Sequence, residues 1–364
     1  MGATSRPRGT LLFLTPYPCG AAPSQRFRFE QYLRFLEEAG FRLVQKSFWT
    51  PGAWAILYAP RYRRYKALWL LWGFVRRLWH ILRFGQARYV LIHREADPLG
   101  TPVFPLILRY VLRRKIIYDF DDAIWIPNAS ASNRGWMRLK YWGNARWLCR
   151  LAWRVHAGND FLADYARQYN TRVKIIPTTI DTQAWHNTIK VHAPQDPFVM
   201  GWTGSHSTLA YLEDIRPVIR RLVQELPLRF AVICDVRPEW PDVPYDFIPW
   251  NKETEIRDLL RLTVGLMPLR DDPWSRGKCG FKALQYMALG IPALVSPVGV
   301  NTQIVDHGIN GFHCATPEDW ERCIRLLFHD RALLQRLAAA ARPKIEERYS
   351  VTAIKPEFLR SFDI

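Results

Sequence analysis

Acidic residues are scarce in this sequence: 33 Asp and Glu stand against 51 Lys and Arg, a net charge of +18. That imbalance favours anionic partners, and the candidates are nucleic acid, an acidic lipid surface or phosphorylated substrates. Zinc-finger spacing, an RNP motif and a basic heptad region are all missing, so no nucleic-acid partner is expected. The six cysteines, Cys19, Cys149, Cys234, Cys279, Cys314 and Cys323, are dispersed without a C-x-x-C pair. Neither a zinc site nor a disulfide framework is implied, and a reducing cytoplasm is the expected home. No apolar run approaches the roughly 20 residues that cross a bilayer. The stretch Met1–Thr10 is basic and polar, and Leu11–Leu14 is too brief for the apolar region of a signal peptide. What is present is 49% hydrophobic residues over 364 positions, enough for two domains with full cores.

Leu11–Leu14 reads as the first buried strand of a parallel sheet, and the loop Thr15–Arg28 follows it. Ligands of open α/β sheets bind at such strand ends, which makes Arg26 a candidate for an acceptor or phosphate contact; a solvated loop arginine is the other reading. Tyr89–Glu95 is a second strand with a polar tail. Lys115–Tyr118 is a third, ending in Asp119-Phe120-Asp121-Asp122. Ionisable groups thus collect on one sheet edge. Asp119 and Asp121 form a D-x-D pair that could hold Mn or Mg against a diphosphate, while helix capping or hydrogen bonding to acceptor hydroxyls needs no metal.

From Arg61 to Arg83 the chain alternates cations with large apolar residues and has no acidic residue. Its uncharged core, Ala67–Val75, is too short to span. Either the run lies in a membrane interface, with Trp69, Trp72, Phe74 and Trp79 as anchors, or it packs on the sheet with its arginines in water. Val103–Leu112 is a further buried or interfacial helix.

Arg154–Ala157 and Val173–Ile176 complete the first set of strands, and the proline-containing stretch Asn187–Pro197 is the best linker. Phe198–Trp202 then opens a second β-α series, with a glycine turn at Thr203-Gly204-Ser205 leading into a helix. Strands at Phe230–Cys234 and Val264–Met267 continue it. The densest signal is Trp274–Pro292: a polar turn with Gly277 and Gly280, the cations Arg276, Lys278 and Lys282, and a helix beginning at Phe281. Unpaired amides, the dipole end and three cations at one helix start would suit a diphosphate.

That segment resembles the donor site of retaining glycosyltransferases of the GT-B fold, family 4. The match runs through Leu284-Gln285-Tyr286-Met287-Ala288-Leu289-Gly290-Ile291-Pro292 and on through Gly299–Val305 and Asp306–Phe312. Tyr118–Trp125 is similar to a "Y-D-x-D-D-A-I-W" motif of a subset of that family, and Val173–Asp181 to its "I-P-N-G-V-D" segment. The resemblance implies an α/β architecture of two Rossmann-like, doubly wound parallel-sheet domains facing across a cleft. Residues 1–190 would be the acceptor side, 191–345 the nucleotide-sugar side, and 346–364 a helix crossing back. It further implies Asp121, Asp122 and Arg26 as catalytic residues. Gly204, Ser205, Arg276, Lys278, Gly280, Phe281, Lys282, Gln285 and Gln303 would bind the donor, with no metal or other cofactor. The partners implied are a nucleotide-diphosphate sugar and a glycan or lipid-linked acceptor, with an anionic membrane surface beside them. The family's two glutamates eight positions apart would fall at Gly277 and Gln285, and a later one at Gln303. Those losses leave as an alternative a catalytically weak GT-B protein serving as a binding or assembly partner; a sugar-nucleotide epimerase built on the same fold is a further reading, and the D-x-D pair leaves a metal-dependent transferase using Asp119 and Asp121.

Overall fold

A computed structural model describes residues 8–57, 63–127 and 140–364. Residues 1–7, and Arg61 and Tyr62 of the basic run, lie outside the described residues. The chain divides into two units, one holding the residues up to Thr178 together with Lys355–Ile364, the other Thr179–Ile354.

The first unit is built on a six-stranded sheet in the order β2 (Phe41–Ser47), β1 (Gly9–Thr15), β3 (Tyr89–His93), β4 (Lys115–Phe120), β5 (Arg154–Ala157) and β6 (Val173–Ile175). All of its pairings are parallel. Leu11–Leu14 and Val90–Ile92 are almost wholly buried, which is why they read as unbroken apolar runs: helices cover both faces of the sheet. The second unit repeats the plan with the order β12 (Gly311–His313), β11 (Ala293–Val295), β10 (Val264–Met267), β7 (Val199–Gly204), β8 (Arg229–Cys234) and β9 (Asp246–Pro249), again parallel. The expected α/β doubly wound fold is therefore present in both units.

Each order contains one point where the winding reverses, between β1 and β3 in the first sheet and between β7 and β10 in the second. Chains leave a sheet in opposite directions at such a point, and the resulting crevice at the strands' C-terminal ends takes ligands. The loops after β1, β3, β7 and β10 are therefore where side chains with chemistry are to be sought.

The division between units falls earlier than the Asn187–Pro197 stretch. Residues 179–190 belong to the second unit because the buried Arg342 guanidinium donates to the carbonyls of Thr182, at 2.8 Å, His186 and Ala288. The Lys190 backbone amide adds a hydrogen bond to the Leu289 carbonyl at 2.8 Å. The last residues belong to the first unit: Phe358 stacks on Tyr32 with centroids 4.2 Å apart, and Lys115 pairs with Asp363 at 3.2 Å.

The basic run forms a helix, Arg63–Arg83, fixed by its inner face. Arg77 is fully buried and donates to the carbonyls of Lys46 (2.8 Å) and Thr15 (2.7 Å), at the ends of β2 and β1. Trp69 and Phe74, expected among the outward anchors, instead pack against the Phe48–Trp49 cluster.

Candidate functional site

In the second unit, β10 leads to a helical turn, Pro273–Arg276, capped by Asp272, whose side chain accepts from the Ser275 amide at 2.7 Å. Gly280 is then held at φ 69°, a left-handed conformation that side chains resist, and a Cβ there would lie 2.1 Å from Ile304. Only glycine fits. The helix Phe281–Ala288 starts immediately after, so the amides of Phe281 and Lys282 open its first turn. Gly277, by contrast, has an ordinary φ of −73° and needs no glycine freedom.

The three cations of this segment are distributed differently from the sequence expectation. Arg276 makes a bidentate pair with Asp271, at 2.7 and 3.0 Å, on the exposed surface. The Lys278 ammonium lies 5.6 Å from the Trp274 ring and 5.7 Å from Tyr211, and Lys282 lies 5.5 Å from Trp202. Lys278 precedes the helix and its cap, so the two lysines are not a helical i, i+4 pair. Lys282 alone sits in the helix's first turn.

Behind them Gln285 is buried, and its Nε2 has no hydrogen-bond partner. The Oδ1 of Asn301 is in the same condition, while its Nδ2 donates to the Ser296 carbonyl at 3.0 Å. A buried amide left unpaired costs about 1 to 3 kcal/mol, so these two atoms are sites where a bound polar molecule would gain. Asn301 was not a sequence candidate: its Oδ1 lies 3.4 Å from where a Gly280 Cβ would stand, a tertiary contact that no local pattern marks. Gln303, on the same short helix Asn301–Ile304, is exposed.

After β7 the chain turns at Gly204. A Cβ there would meet the Trp202 indole at 2.3 Å and the Thr208 hydroxyl at 2.7 Å, so the protein's own side chains already require glycine at this position. Ser205 caps the turn reciprocally with Thr208. His206 adds an exposed pair with Asp235, Nδ1 to Oδ2 at 2.8 Å, at the end of β8.

In the first unit the three aspartates have separate fates. Asp119 is buried, held by Arg28 at 2.5 Å and by His93 Nδ1 at 2.7 Å. Burial alone would raise its pKa; the Arg28 charge and the His93 contact instead hold it well below the usual carboxylate range. Both carboxylate oxygens are thus committed to the protein interior, which removes Asp119 from the D-x-D pair. Asp121 and Asp122 are both held by Arg94, whose Nε reaches Asp121 at 2.6 Å while its other arm bonds Asp122. Burial raises the Asp121 pKa, but the Arg94 charge and hydrogen bond, with His93 and Arg28 adding to them, together outweigh it and the net shift is downward. Arg94 itself takes φ 57° at the turn after β3, so strand end and carboxylates are fixed together. Among the described residues no group of three or more His, Cys, Asp or Glu could hold a metal ion.

Arg26, in the helix Pro23–Arg28, is half-buried, with its guanidinium 5.0 Å from the Phe27 ring; the arginine of this helix that reaches an aspartate, Asp119, is Arg28. The β1 loop leading to it is shaped by Gln25, whose side chain bonds the backbone of Tyr17 and Pro18. Arg28, His93 and Arg94 are the residues that the sequence reading missed. Their charges were visible, but their direction into the sheet edge was not.

His156 extends this buried row: β3, β4 and β5 place His93, Asp119 and His156 in register, and His156 Nε2 meets the Ser361 hydroxyl at 2.8 Å. Burial pushes the His156 pKa down to about 4, and burial with the nearby Arg77 does the same to His80. Between about pH 6.5 and 4 both would take up a proton when unfolded but not when folded, so stability is complete above that window and is lost as pH falls through it. Melting temperature should accordingly drop on acidification from pH 7 to 4.5, and His156→Gln should flatten that slope. Parallel slopes for the variant and the parent would remove His156 from the account.

The comparisons with known proteins come to the same architecture. Residues 246–344 match the family model described as glycosyl transferases group 1. No curated protein matches the sequence. Solved structures similar over nearly the whole chain include HepE of Anabaena in complex with UDP and glucose, at 14% identity, covering 98% of this chain and 99% of that one, with a TM-score of 0.61. Sucrose-phosphate synthase of Thermosynechococcus elongatus gives 14%, 98% and 98%, and 0.71. The lipopolysaccharide outer core galactosyltransferase WaaB, in its apo form, gives 11%, 97% and 99%, and 0.63. At these identities the likeness establishes the fold, which is GT-B, and the family segment covers the Phe281–Ala288 helix and the turn before it.

Proposed function

Given a group 1 glycosyltransferase segment on a GT-B fold, we propose that this protein transfers a sugar, with retention of anomeric configuration, from a nucleotide diphosphate to a hydroxyl of a glycan or lipid-linked acceptor. The setting we assign is cell-surface polysaccharide or glycolipid synthesis, in the cytoplasm or on the inner face of a membrane. The observation that carries the donor half is the buried, unpartnered Gln285 amide one to two turns into the Phe281–Ala288 helix. A ribose hydroxyl would satisfy it. The helix's first amides and Lys282 would face the diphosphate, the group on which charge grows as the sugar leaves. UDP and glucose are held by HepE, a protein of the same fold.

For the acceptor half, Asp121 and Asp122 are candidates to orient the attacking hydroxyl, with Arg94 fixing both carboxylates. Positioning and electrostatics, rather than a metal, supply the catalysis in this reading. Asp119 contributes through Arg28 and His93 as a positioning residue. The test is transfer and donor hydrolysis with a panel of UDP-, GDP- and CMP-sugars in the presence of EDTA, with product configuration read by NMR. One donor class should be consumed at an undiminished rate in EDTA, with retention. No turnover of any donor would favour the assembly-partner reading, and loss in EDTA with recovery in Mn would overturn the metal-free one.

A further inference from the structure

The helix Arg63–Arg83 presents a second face that the transfer reading leaves unused. Leu68, Leu71, Trp72, Val75, Trp79 and Leu82 recur three or four residues apart and are 53 to 66% exposed. They form one stripe along the outward side of the helix. The adjoining segment extends it: Val103, Tyr110 and Val111 are 51 to 72% exposed, and Phe104 stacks on Phe74 at 5.7 Å, which joins the two elements. Isolated surface leucines need no explanation. A continuous apolar stripe along a helix of 21 residues does.

The stripe cannot turn inward, because the opposite side is already fixed. Gly73 lies so close to Phe48 that a Cβ would come 2.5 Å from its ring, and the buried Arg77 holds the helix to β1 and β2. For the same reason the helix does not cross a bilayer, and among the described residues no helix is long and apolar enough to do so. The charges around the stripe select its occupant. Arg64, Arg83, Arg109 and Arg113 are exposed, Arg83 stands 5.5 Å from the Trp79 ring, and the helix contains no acidic residue. A second copy laid on this face would bring the same arginines together, whereas an anionic bilayer would pair them while taking up the apolar side chains.

We infer that this face docks the protein onto an anionic lipid bilayer, with the helix axis in the membrane plane, Trp72 and Trp79 at headgroup depth and the arginines among the lipid phosphates. The inference rests on the first unit alone and is independent of the donor reading. It is tested by flotation of the full chain with phosphatidylcholine vesicles, with and without about a third of phosphatidylglycerol, at low and high salt. Binding should require phosphatidylglycerol and weaken with salt, yet keep a salt-resistant part from apolar insertion. The double variant Leu71→Glu/Val75→Glu, at positions exposed in the fold, should lower the partition coefficient by at least about tenfold, the scale of keeping two apolar side chains out of the interface and adding two like charges. Its circular dichroism and melting should match the parent. Equal binding by the variant would reduce the contact to non-specific charge attraction and overturn the proposal. Absence of vesicle binding, with a parent dimer that the variant converts to monomer, would overturn it in favour of a second copy.

Discussion

Lys282→Ala should lower sugar transfer by about a hundredfold or more while the protein melts as the parent does. The scale is that of losing one preorganised charge contact to a transition state. Lys282 alone is placed for this contact, because Lys278 lies before the Gly280 cap and Arg276 is paired with Asp271. Lys282 is the cation in the first turn of the helix, where its ammonium lies over the Trp202 ring and beside amides that have no partner within the helix. A cation at a helix start opposes the dipole, so its charge adds little to the stability of the helix. Replacing it should therefore leave folding within about 0.5 kcal/mol, as surface changes usually do. Arg276→Ala should cost less activity than Lys282→Ala, since Asp271 already competes for the guanidinium. A Lys282→Ala enzyme with full turnover would move the diphosphate away from this helix and take the donor assignment with it.

Most of the sheet architecture was legible in the sequence, and the exceptions share a cause. Leu11–Leu14, Phe230–Cys234 and Val264–Met267 lie inside their sheets and read as apolar runs because both faces are covered. The strands not marked, β2, β9 and β12, are edge strands. Phe41–Ser47 mixes Arg, Gln and Lys with its apolar residues, Asp246–Pro249 ends on a proline, and Gly311–His313 is three residues long, compositions that edges favour and that look like loop in a sequence. The donor turn was legible for a different reason: glycine at 280 and the helix after it are local facts. The aspartate site was only half legible. Its carboxylates follow one another along the chain, but the cations that assign them, Arg28 and Arg94, arrive from the helix after β1 and the turn after β3, and nothing local separates Arg28 from Arg26, two positions earlier. Direction of a side chain is a tertiary property, and only the fold shows that Arg28 is the arginine paired with Asp119.

Arg28 also carries the largest expected loss of stability. Its guanidinium and the Asp119 carboxylate are both buried, and the same arginine bonds the Ile176 carbonyl ahead of the unit boundary. Truncating one member of such a pair leaves an uncompensated charge in the interior, a loss of about 3 to 5 kcal/mol against the 5 to 15 kcal/mol that ordinarily holds a protein folded. Arg28→Met should therefore shift the urea midpoint of the first unit strongly, and Asp119→Asn, which strands Arg28 instead, should do so as well. Combining the two should recover part of the loss, because the pair is then replaced by neutral groups and His93 keeps a hydrogen-bonding side chain at 119. The depressed Asp119 pKa adds a pH signature. Its contribution is complete above the unfolded carboxylate range and disappears as pH falls toward the lower folded value, so the gap between parent and Asp119→Asn should narrow in acid. A residue that served chiefly as a metal ligand would behave oppositely: Asp119→Asn would then keep the parent's urea midpoint at neutral pH and lose only its transfer, and that result would return Asp119 to the D-x-D pair from which Arg28 and His93 remove it.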